Sequence, residues 1–191
     1  MKTSFYTKVE LESIGFKAVG DGVLISRNAK YYSPETISIG DIVRIDDICI
    51  LSGVITIGSY VHISASTILI AGKAGIQIED FATVSQRVNI FARSDDYSGQ
   101  TMTNPMIPRT YRRLDEAKVT IKRHSIIGCG TVIMPGVTIE EGTAIGAMSF
   151  VNRSTKPWTI YAGIPAQPIK KRSQELLRLE EEFLAEKNRL Q

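Results

Sequence analysis

Residues 119–151 read VTIKRHSIIGCGTVIMPGVTIEEGTAIGAMSFV, and an aliphatic residue recurs in them at every sixth position. The same spacing runs through an earlier part of the chain, so that fifteen marker positions share it. They are Ile39, Ile45, Leu51, Ile57, Ile63, Leu69, Ile78, Val84, Ile90, Ile121, Ile127, Ile133, Ile139, Ile145 and Val151. A six-residue period fits neither an amphipathic helix nor an isolated strand, and it is typical of a parallel β-helix.

Three short strands per turn would explain this spacing. Strands of three to four residues, joined by two-residue corners, close a triangular coil of eighteen residues. Each marker then points into the prism, and the residue four positions later lies near a corner with limited room. That residue is mostly small or β-branched, as at Val43, Thr67 and Ser125. One coil cannot bury its own apolar face, so the coils are stable only as a stack.

Two insertions interrupt the spacing. Three extra residues stand between Leu69 and Ile78, and about 25 extra residues separate Ile90 from Ile121. The longer insertion, at about residues 93–118, is polar and contains two prolines. A loop of this length in a compact domain is more often functional than idle. We therefore expect it to leave the prism and to carry part of a functional site.

The segments outside the repeats are short. Residues 1–20 are predicted to form a helix near residues 7–13 and a turn, and residues 21–172 the β-helix domain. Residues 173–191 are predicted to form a C-terminal α-helix capped by Ser173. An apolar stripe on this helix is expected to pack on the prism or on a neighbouring subunit. The stripe consists of Leu176, Leu179, Phe183 and Leu190.

The composition disfavours several functional classes. The net charge is +3, and basic residues are dispersed except at residues 170–172, which gives no case for nucleic-acid binding. Cys49 and Cys129 form no CxxC motif and are expected to be reduced, as in a cytoplasmic protein. The N-terminus lacks the apolar segment of a signal peptide. No apolar run approaches the roughly twenty residues that span a membrane.

Two motifs in the C-terminal half resemble those of a known family. GCGTVIMPGVTIEEGTAIGAMSFV (128–151) and YAGIPAQPIKKR (161–172) look like the closing coils of hexapeptide-repeat acyltransferases. The pattern is most similar to galactoside and maltose O-acetyltransferases and to sugar acetyltransferases of surface-polysaccharide biosynthesis, over about residues 37–172. The resemblance implies a left-handed β-helix, a homotrimer with active sites in clefts between subunits, and acetyl-CoA as donor without a metal.

The resemblance also implies a donor site. The small residues of the family's closing coils fall on Cys129 and Ala147, and a Thr-Lys pair after the last coil falls on Asn152 and Arg153. Basic residues of the tail would bind the phosphates of CoA. The predicted acetyl-CoA-binding residues are Cys129, Gly146, Ala147, Asn152, Arg153, Lys170, Lys171 and Arg172.

The catalytic base departs from the family's pattern. Where the sugar O-acetyltransferases place a histidine after the strand aligned with residues 88–91, this chain has Asp95 and Asp96. His62 and Ser64 align with residues of the family's acceptor site. A neutral imidazole can take a proton from an attacking hydroxyl, and a carboxylate can hold its tautomer. We predict His62 as the base, oriented by Asp95 or Asp96. The alternative is Asp95 as the base.

Further residues of the long insertion could meet the acceptor. Tyr97 and Arg113 are predicted to contact a sugar or its diphosphate. His124, the second histidine, falls on a position with no role in the family.

The favoured function is that of an acetyl-CoA-dependent O-acetyltransferase acting on a sugar hydroxyl, in capsule or lipopolysaccharide biosynthesis. The alternative is an N-acetyltransferase acting on an amino-sugar nucleotide, since an unprotonated amine needs no strong base. A non-catalytic β-helix scaffold is disfavoured by the polar insertion and the basic tail. A metal-bearing β-helix of the carbonic-anhydrase type needs three histidine ligands, whereas this chain has two histidines.

Overall fold

The computed structural model describes residues 4–190, without the side chain of Leu190. The predicted place of Leu190 in the apolar stripe therefore lies outside the described residues. In this part of the chain two α-helices, α1 (Lys8–Ile14) and α2 (Glu175–Leu190), flank the strands. The strands are β1 (Ala18–Val19), β2 (Leu24–Ile25), β3 (Lys30–Tyr32), β4 (Ile37–Ile39), β5 (Arg44–Ile45), β6 (Ile50–Ile57), β7 (His62–Ile63), β8 (Ile68–Ile78), β9 (Thr83–Val84), β10 (Asn89–Phe91), β11 (Arg93–Asp95), β12 (Leu114–Glu116), β13 (Val119–Ile121), β14 (Ile126–Ile127), β15 (Val132–Ile133), β16 (Thr138–Ile139), β17 (Ala144–Ile145), β18 (Phe150–Val151), β19 (Thr159–Gly163) and β20 (Ala166–Lys171).

Most of these strands stack in parallel to form the three walls of a triangular prism. The first wall contains β1, β4, the end of β6, the end of β8, β13 and β16. The second contains β2, β5, β7, β9, β14, β17 and β19. The third contains β3, the start of β6, the start of β8, β10, β15 and β18. The result is a left-handed β-helix of about seven coils, as predicted.

The core is the set of marker residues. All fifteen are at most 3% exposed, and markers of successive coils pair directly, as Ile45 does with Ile63. Residues such as Thr67 and Ser125, four positions after a marker, are buried as well. Full burial of an aliphatic side chain is worth about 1.5–3 kcal/mol relative to exposure. The six-residue spacing therefore describes the core directly.

Both insertions occur at one corner of the prism, where the third wall passes into the first. The three extra residues lengthen β8, in which Gly72 pairs with Gly53 of β6. In the next coil the chain leaves the prism after β10, forms the antiparallel pair β11–β12, and returns at β13 in register with β8. The predicted excursion at about residues 93–118 is confirmed, and the shorter insertion lies beside it.

The N-terminal segment caps the first coil. Thr7 and Glu10 form a capping box at the start of α1, and Gly15 ends the helix in the left-handed region with φ 83°. Strand β1 already pairs with β4, so the first coil begins at Ala18 rather than at residue 21. The division into three segments remains a proposal.

Helix α2 packs on a column of aromatic residues. At the corner between the first and second walls, the rings of Tyr60 and Phe81 stack at 4.7 Å, and His124 and Trp158 continue the column. Phe183 of α2 meets Tyr60 edge to face at 5.5 Å. Leu176, Leu179 and Phe183 line the groove between the helix and this column. The helix thus lies against the prism of its own chain.

Three further observations concern helix length, metal-ligating groups and the cysteines. Neither α1 nor α2 is long and apolar enough to cross a membrane. No group of three metal-ligating side chains occurs among residues 4–190. Both cysteines are free.

The aromatic column generates a test of the fold. A Cβ at Gly142 would lie 2.4 Å from the Trp158 ring, whereas at Gly22, in the same column, the nearest atom is 3.4 Å away. Both glycines have positive φ, as do Tyr60, Phe81 and His124 in this column. We expect Gly142→Ala to lower the free energy of unfolding by about 1–3 kcal/mol more than Gly22→Ala. Urea unfolding followed by circular dichroism measures the difference. Equal losses would contradict this packing.

Candidate active site

A cavity of about 750 Å³, the insertion cavity, lies between the outer face of the third wall and the long insertion. Its floor is apolar, and its rim carries the polar residues of β11 and the loop. The lining residues are Ile70, Phe91, Arg93, Ser94, Asp95, Tyr97, Pro105, Arg112, Leu114, Val132, Met134 and Phe150. An apolar pocket with a few convergent polar groups is the usual form of a small-molecule site.

Asp95 is the carboxylate of this cavity. It ends β11, where pairing with Leu114 of β12 positions its backbone. Its Oδ1 atom is buried and has no hydrogen-bond partner among residues 4–190. An unpaired buried acceptor costs about 1–3 kcal/mol, more if it is charged. A ligand that donates a hydrogen bond would remove this cost.

Arg112 faces the same cavity from the other arm of the insertion. Its Nε atom is also buried without a hydrogen-bond partner in the described residues. The residues that line the cavity therefore include a carboxylate and a guanidinium, each with a buried polar atom that has no partner among the described residues.

Asp96 has a different role from its neighbour. It is 3% exposed. Its Oδ1 accepts a hydrogen bond from the Ser98 amide at 2.8 Å, and its Oδ2 accepts from the amide and hydroxyl of Thr101 at 3.1 and 2.9 Å. Hydrogen bonds from Ser98, and then Thr101, lower the pKa of Asp96 to about 2. Such a carboxylate is a weak base near neutral pH, and its predicted role as the orienter of His62 stays a prediction.

The two predicted acceptor-binding residues of the insertion, Tyr97 and Arg113, are both exposed but differently placed. Tyr97 lines the insertion cavity and is 91% exposed. The Arg113 guanidinium lies 3.5 Å from Asp115, and its amide donates to the Thr101 hydroxyl. Arg113 lines a neighbouring cavity instead.

His62 lies on the second wall, away from the residues that line the insertion cavity. Its Nε2 atom is 2.8 Å from Oδ2 of Asp46, one coil earlier. Arg44 donates to the other oxygen of Asp46 at 2.7 Å. Burial alone would raise the pKa of Asp46, but hydrogen bonds from Arg44 and His62 lower it overall. Within one chain the carboxylate beside His62 is that of Asp46, and a pairing with Asp95 or Asp96 across subunits stays a prediction.

Ser64, predicted beside His62, is buried in the second wall. Its amide donates to Val84 of the next coil at 2.9 Å, and its carbonyl accepts from the Cys49 thiol at 3.2 Å. Sequence reasoning missed Asp46, although an aspartate one coil before a histidine was a usable signal.

The structure brings three of the predicted donor-site residues together at the corner between the second and third walls. Cys129 and Ala147 occupy the same corner in successive coils, and a Cβ at Gly128 would meet the Ala147 amide at 2.4 Å. Gly146 stacks on Gly128, and the Gly146 amide donates a hydrogen bond to the Tyr161 carbonyl of the next coil at 2.7 Å. The backbones of successive coils therefore pack closely along this corner.

The remaining predicted donor-site residues divide into two groups. Asn152, Arg153, Lys170 and Lys171 are exposed after β18 and in β20. Arg172 instead donates to the carbonyls of His124 and Gly142 at 2.7 and 2.9 Å. This internal use argues against its predicted role at a phosphate. Burial lowers the pKa of Arg172.

His124, which was given no functional role, holds the C-terminal helix. Its Nε2 atom lies 2.7 Å from Oε2 of Glu180 in α2, and Arg123 forms an ion pair with the same carboxylate. Desolvation first, then Arg123 and Arg172, lower the pKa of His124. The residue is structural.

Comparison with known proteins identifies the class. Residues 118–153 match the family model described as "Bacterial transferase hexapeptide (six repeats)". A dTDP-4-amino-4,6-dideoxy-D-glucose acyltransferase of Escherichia coli is 43% identical over 183 residues, which cover 94% of this chain and 95% of the relative. The chain therefore belongs to the hexapeptide-repeat acyltransferases, as the resemblance implied.

Solved structures narrow the similarity within this family. AntD, an N-acyltransferase from Bacillus cereus solved in complex with dTDP and 3-hydroxybutyryl-CoA, is 49% identical with a TM-score of 0.96, over 98% of this chain and 100% of that one. A galactoside acetyltransferase in complex with coenzyme A is 20% identical with a TM-score of 0.57, over 88% and 74% of the two chains. The second similarity concerns the fold alone.

The contrast between the two adjacent aspartates gives a testable difference. Because the pKa of Asp96 is lowered, its ionised form stabilises the loop above the usual carboxyl pKa of about 3.9, and this is lost as the pH falls towards about 2. We expect Asp96→Asn to raise hydrogen exchange in residues 97–113 about tenfold at pH 7. The matched variant Asp95→Asn removes no loop hydrogen bond and should leave exchange unchanged. Equal exchange in both variants would contradict the assignment.

Proposed function

We propose that this chain transfers an acyl group from acyl-CoA to the amino group of a nucleotide-activated amino sugar. The observation that carries the proposal is the buried, unpaired Oδ1 atom of Asp95 in the insertion cavity. A carboxylate oxygen in this setting favours a charged or neutral amine donor. No histidine lines this cavity, although a hydroxyl acceptor would benefit from an imidazole base.

The relatives support the amine rather than the hydroxyl. The E. coli relative is described as acting on dTDP-4-amino-4,6-dideoxy-D-glucose, and AntD as an N-acyltransferase. The O-acetyl transfer favoured from the sequence rests on a family pattern whose solved galactoside example is only 20% identical. The N-acyl alternative is therefore the better supported function.

Ser85 is a further candidate that the sequence did not single out. AntD has been solved as variants of one serine and of one aspartate ten residues later. In this chain a serine precedes an aspartate by ten residues at one place, Ser85 and Asp95. Ser85 is half-buried after β9, and it stacks on Gly128 at the donor-site corner.

The reaction requires one group that accepts a proton from the ammonium form of the acceptor. An amine of ordinary basicity is largely protonated near neutral pH. Asp95 would pair with the ammonium group and take one proton, which leaves a neutral nitrogen to attack the thioester carbonyl. A C–N bond then forms, the C–S bond breaks, and the second proton of the attacking nitrogen passes to the CoA sulfur as it leaves. Holding the amine and the thioester in the orientation that attack requires would provide the rest of the rate enhancement.

We further infer that the donor corner holds CoA and that subunits combine to form the site. Cys129, Gly146 and Ala147 would contact the pantetheine arm, while Arg153, Lys170 and Lys171 would bind phosphates. Ser85 precedes β10 of the third wall and Asp95 follows it, so the two residues lie at opposite edges of this wall. A homotrimer would place one subunit's donor corner beside another's insertion cavity. The two free cysteines fit a cytoplasmic enzyme.

Substitutions at the two candidate bases test the proposal. With dTDP-4-amino-4,6-dideoxyglucose and acetyl-CoA, Asp95→Asn should lower kcat about a hundredfold or more, because a positioned base is lost. His62→Ala should retain turnover near that of the unchanged protein. Thiol release from CoA is measured at saturating donor.

Two outcomes oppose this assignment. Absence of turnover by the unchanged protein would refute the proposed acceptor. Loss of activity in His62→Ala with full activity in Asp95→Asn would restore the imidazole base predicted from the sequence.

Mixed assembly tests the shared site. Ser85→Ala and Asp95→Asn chains, refolded together in equal amounts, should give about a quarter of the activity of the unchanged protein, because about a quarter of the interfaces combine an intact serine with an intact aspartate. The two variants refolded separately are the control. A mixture no more active than their mean would place both residues in one subunit's site.

A further inference from the structure

A second, basic cavity adjoins the insertion cavity. It encloses about 360 Å³ and shares Arg93, Arg112 and Leu114 with its neighbour. Five of its seven lining residues are cationic and one is acidic. The lining residues are Lys73, Arg93, Arg109, Arg112, Arg113, Leu114 and Glu116.

The two insertions into the repeat build this cavity together. The three-residue insertion contributes Lys73, and the long insertion contributes the arginines. Gly72 has φ +55°, and a Cβ there would lie 2.8 Å from Oε1 of Glu116 and 3.2 Å from Cδ of Arg93. A glycine is needed at this close approach. Two independent departures from the six-residue spacing therefore converge on one basic site.

Only part of this positive charge is balanced by the protein. Arg93 lies 3.8 Å from Glu116, and the Arg113 guanidinium lies 3.5 Å from Asp115. Lys73, Arg109 and Arg112 form no ion pair within residues 4–190. Three unbalanced cations in one concave surface attract a dianion.

Arg112 connects the two cavities. It lines both, and its Nε atom is buried without a partner in the described chain. Arginine binds phosphate oxygens with paired N–H groups, and a lysine adds a point charge. We propose that Lys73, Arg109 and Arg112 bind the diphosphate of the nucleotide-activated acceptor. This rests on the proposed function and places the sugar in the insertion cavity, with its phosphates in the basic cavity.

CoA also carries phosphates, and it is the competing occupant. The exposed Lys170 and Lys171 lie in β20, beyond the last coil, whereas the basic cavity lies on the insertion. The two sets of cations are thus separate in the chain, and each suits one substrate.

Binding of dTDP and of CoA, measured by titration calorimetry at fixed salt, distinguishes the two ligands. Lys73→Gln and Arg109→Gln should each weaken dTDP about tenfold, because each loses a charge-assisted contact, and leave CoA unchanged. Both side chains are exposed, so the variants should fold, which the Tm verifies. The matched controls are Lys17→Gln and Arg189→Gln, at exposed positions outside both cavities.

Three results would overturn the inference: unchanged dTDP affinity in both cavity variants, weakened CoA with unchanged dTDP, or no binding of dTDP by the unchanged protein. The measurement is independent of acyl transfer. Loss of dTDP binding in the variants, from a protein that does not acylate the amino sugar, would support the diphosphate site and refute the proposed function. Turnover of the amino sugar by the unchanged protein, together with unaltered dTDP binding in the variants, would support the proposed function and refute the diphosphate site.

Discussion

Each inward-pointing aliphatic residue rests on the equivalent residue of the next coil, and the rest of the molecule depends on this contact. Ile63 pairs with Val84, Val84 with Ile127, and Ile127 with Ile145, at the strand spacing of about 4.8 Å. Because the side chains of a wall form one continuous apolar column, a shift of a single residue would turn a marker outward. Extra residues are tolerated only where the chain turns a corner.

This constraint explains where the candidate functional groups lie. Both insertions leave the prism at the same corner, in adjacent coils, and they create the insertion cavity and the basic cavity. The rigid wall beneath supplies Phe91, Met134 and Phe150 as an apolar floor, while the loop above supplies Asp95 and the arginines. A regular scaffold therefore holds the polar residues of an irregular segment, a common arrangement for binding sites.

The sequence predicted the parts that depend on periodicity. The markers, the excursion and the C-terminal helix follow from spacing, because burial repeats with the coil. Contacts between side chains of different coils could not be predicted in the same way. The pairing of His62 with Asp46 depends on register and rotamers, and so does the use of Arg172 by the carbonyls of His124 and Gly142. Asp95 and Asp96 are neighbours in sequence, yet one is unpaired and the other accepts three hydrogen bonds.

We proposed an amine rather than a hydroxyl as the acceptor because Asp95 lines the insertion cavity and no histidine does. The direct measurement is kcat/KM for dTDP-4-amino-4,6-dideoxyglucose and for the analogue in which a hydroxyl replaces the amine, with the same acyl-CoA. We predict a preference for the amine of about a thousandfold or more, since Asp95 can take a proton from an ammonium group far more readily than from an alcohol. Equal rates, or faster transfer to the hydroxyl, would contradict this account.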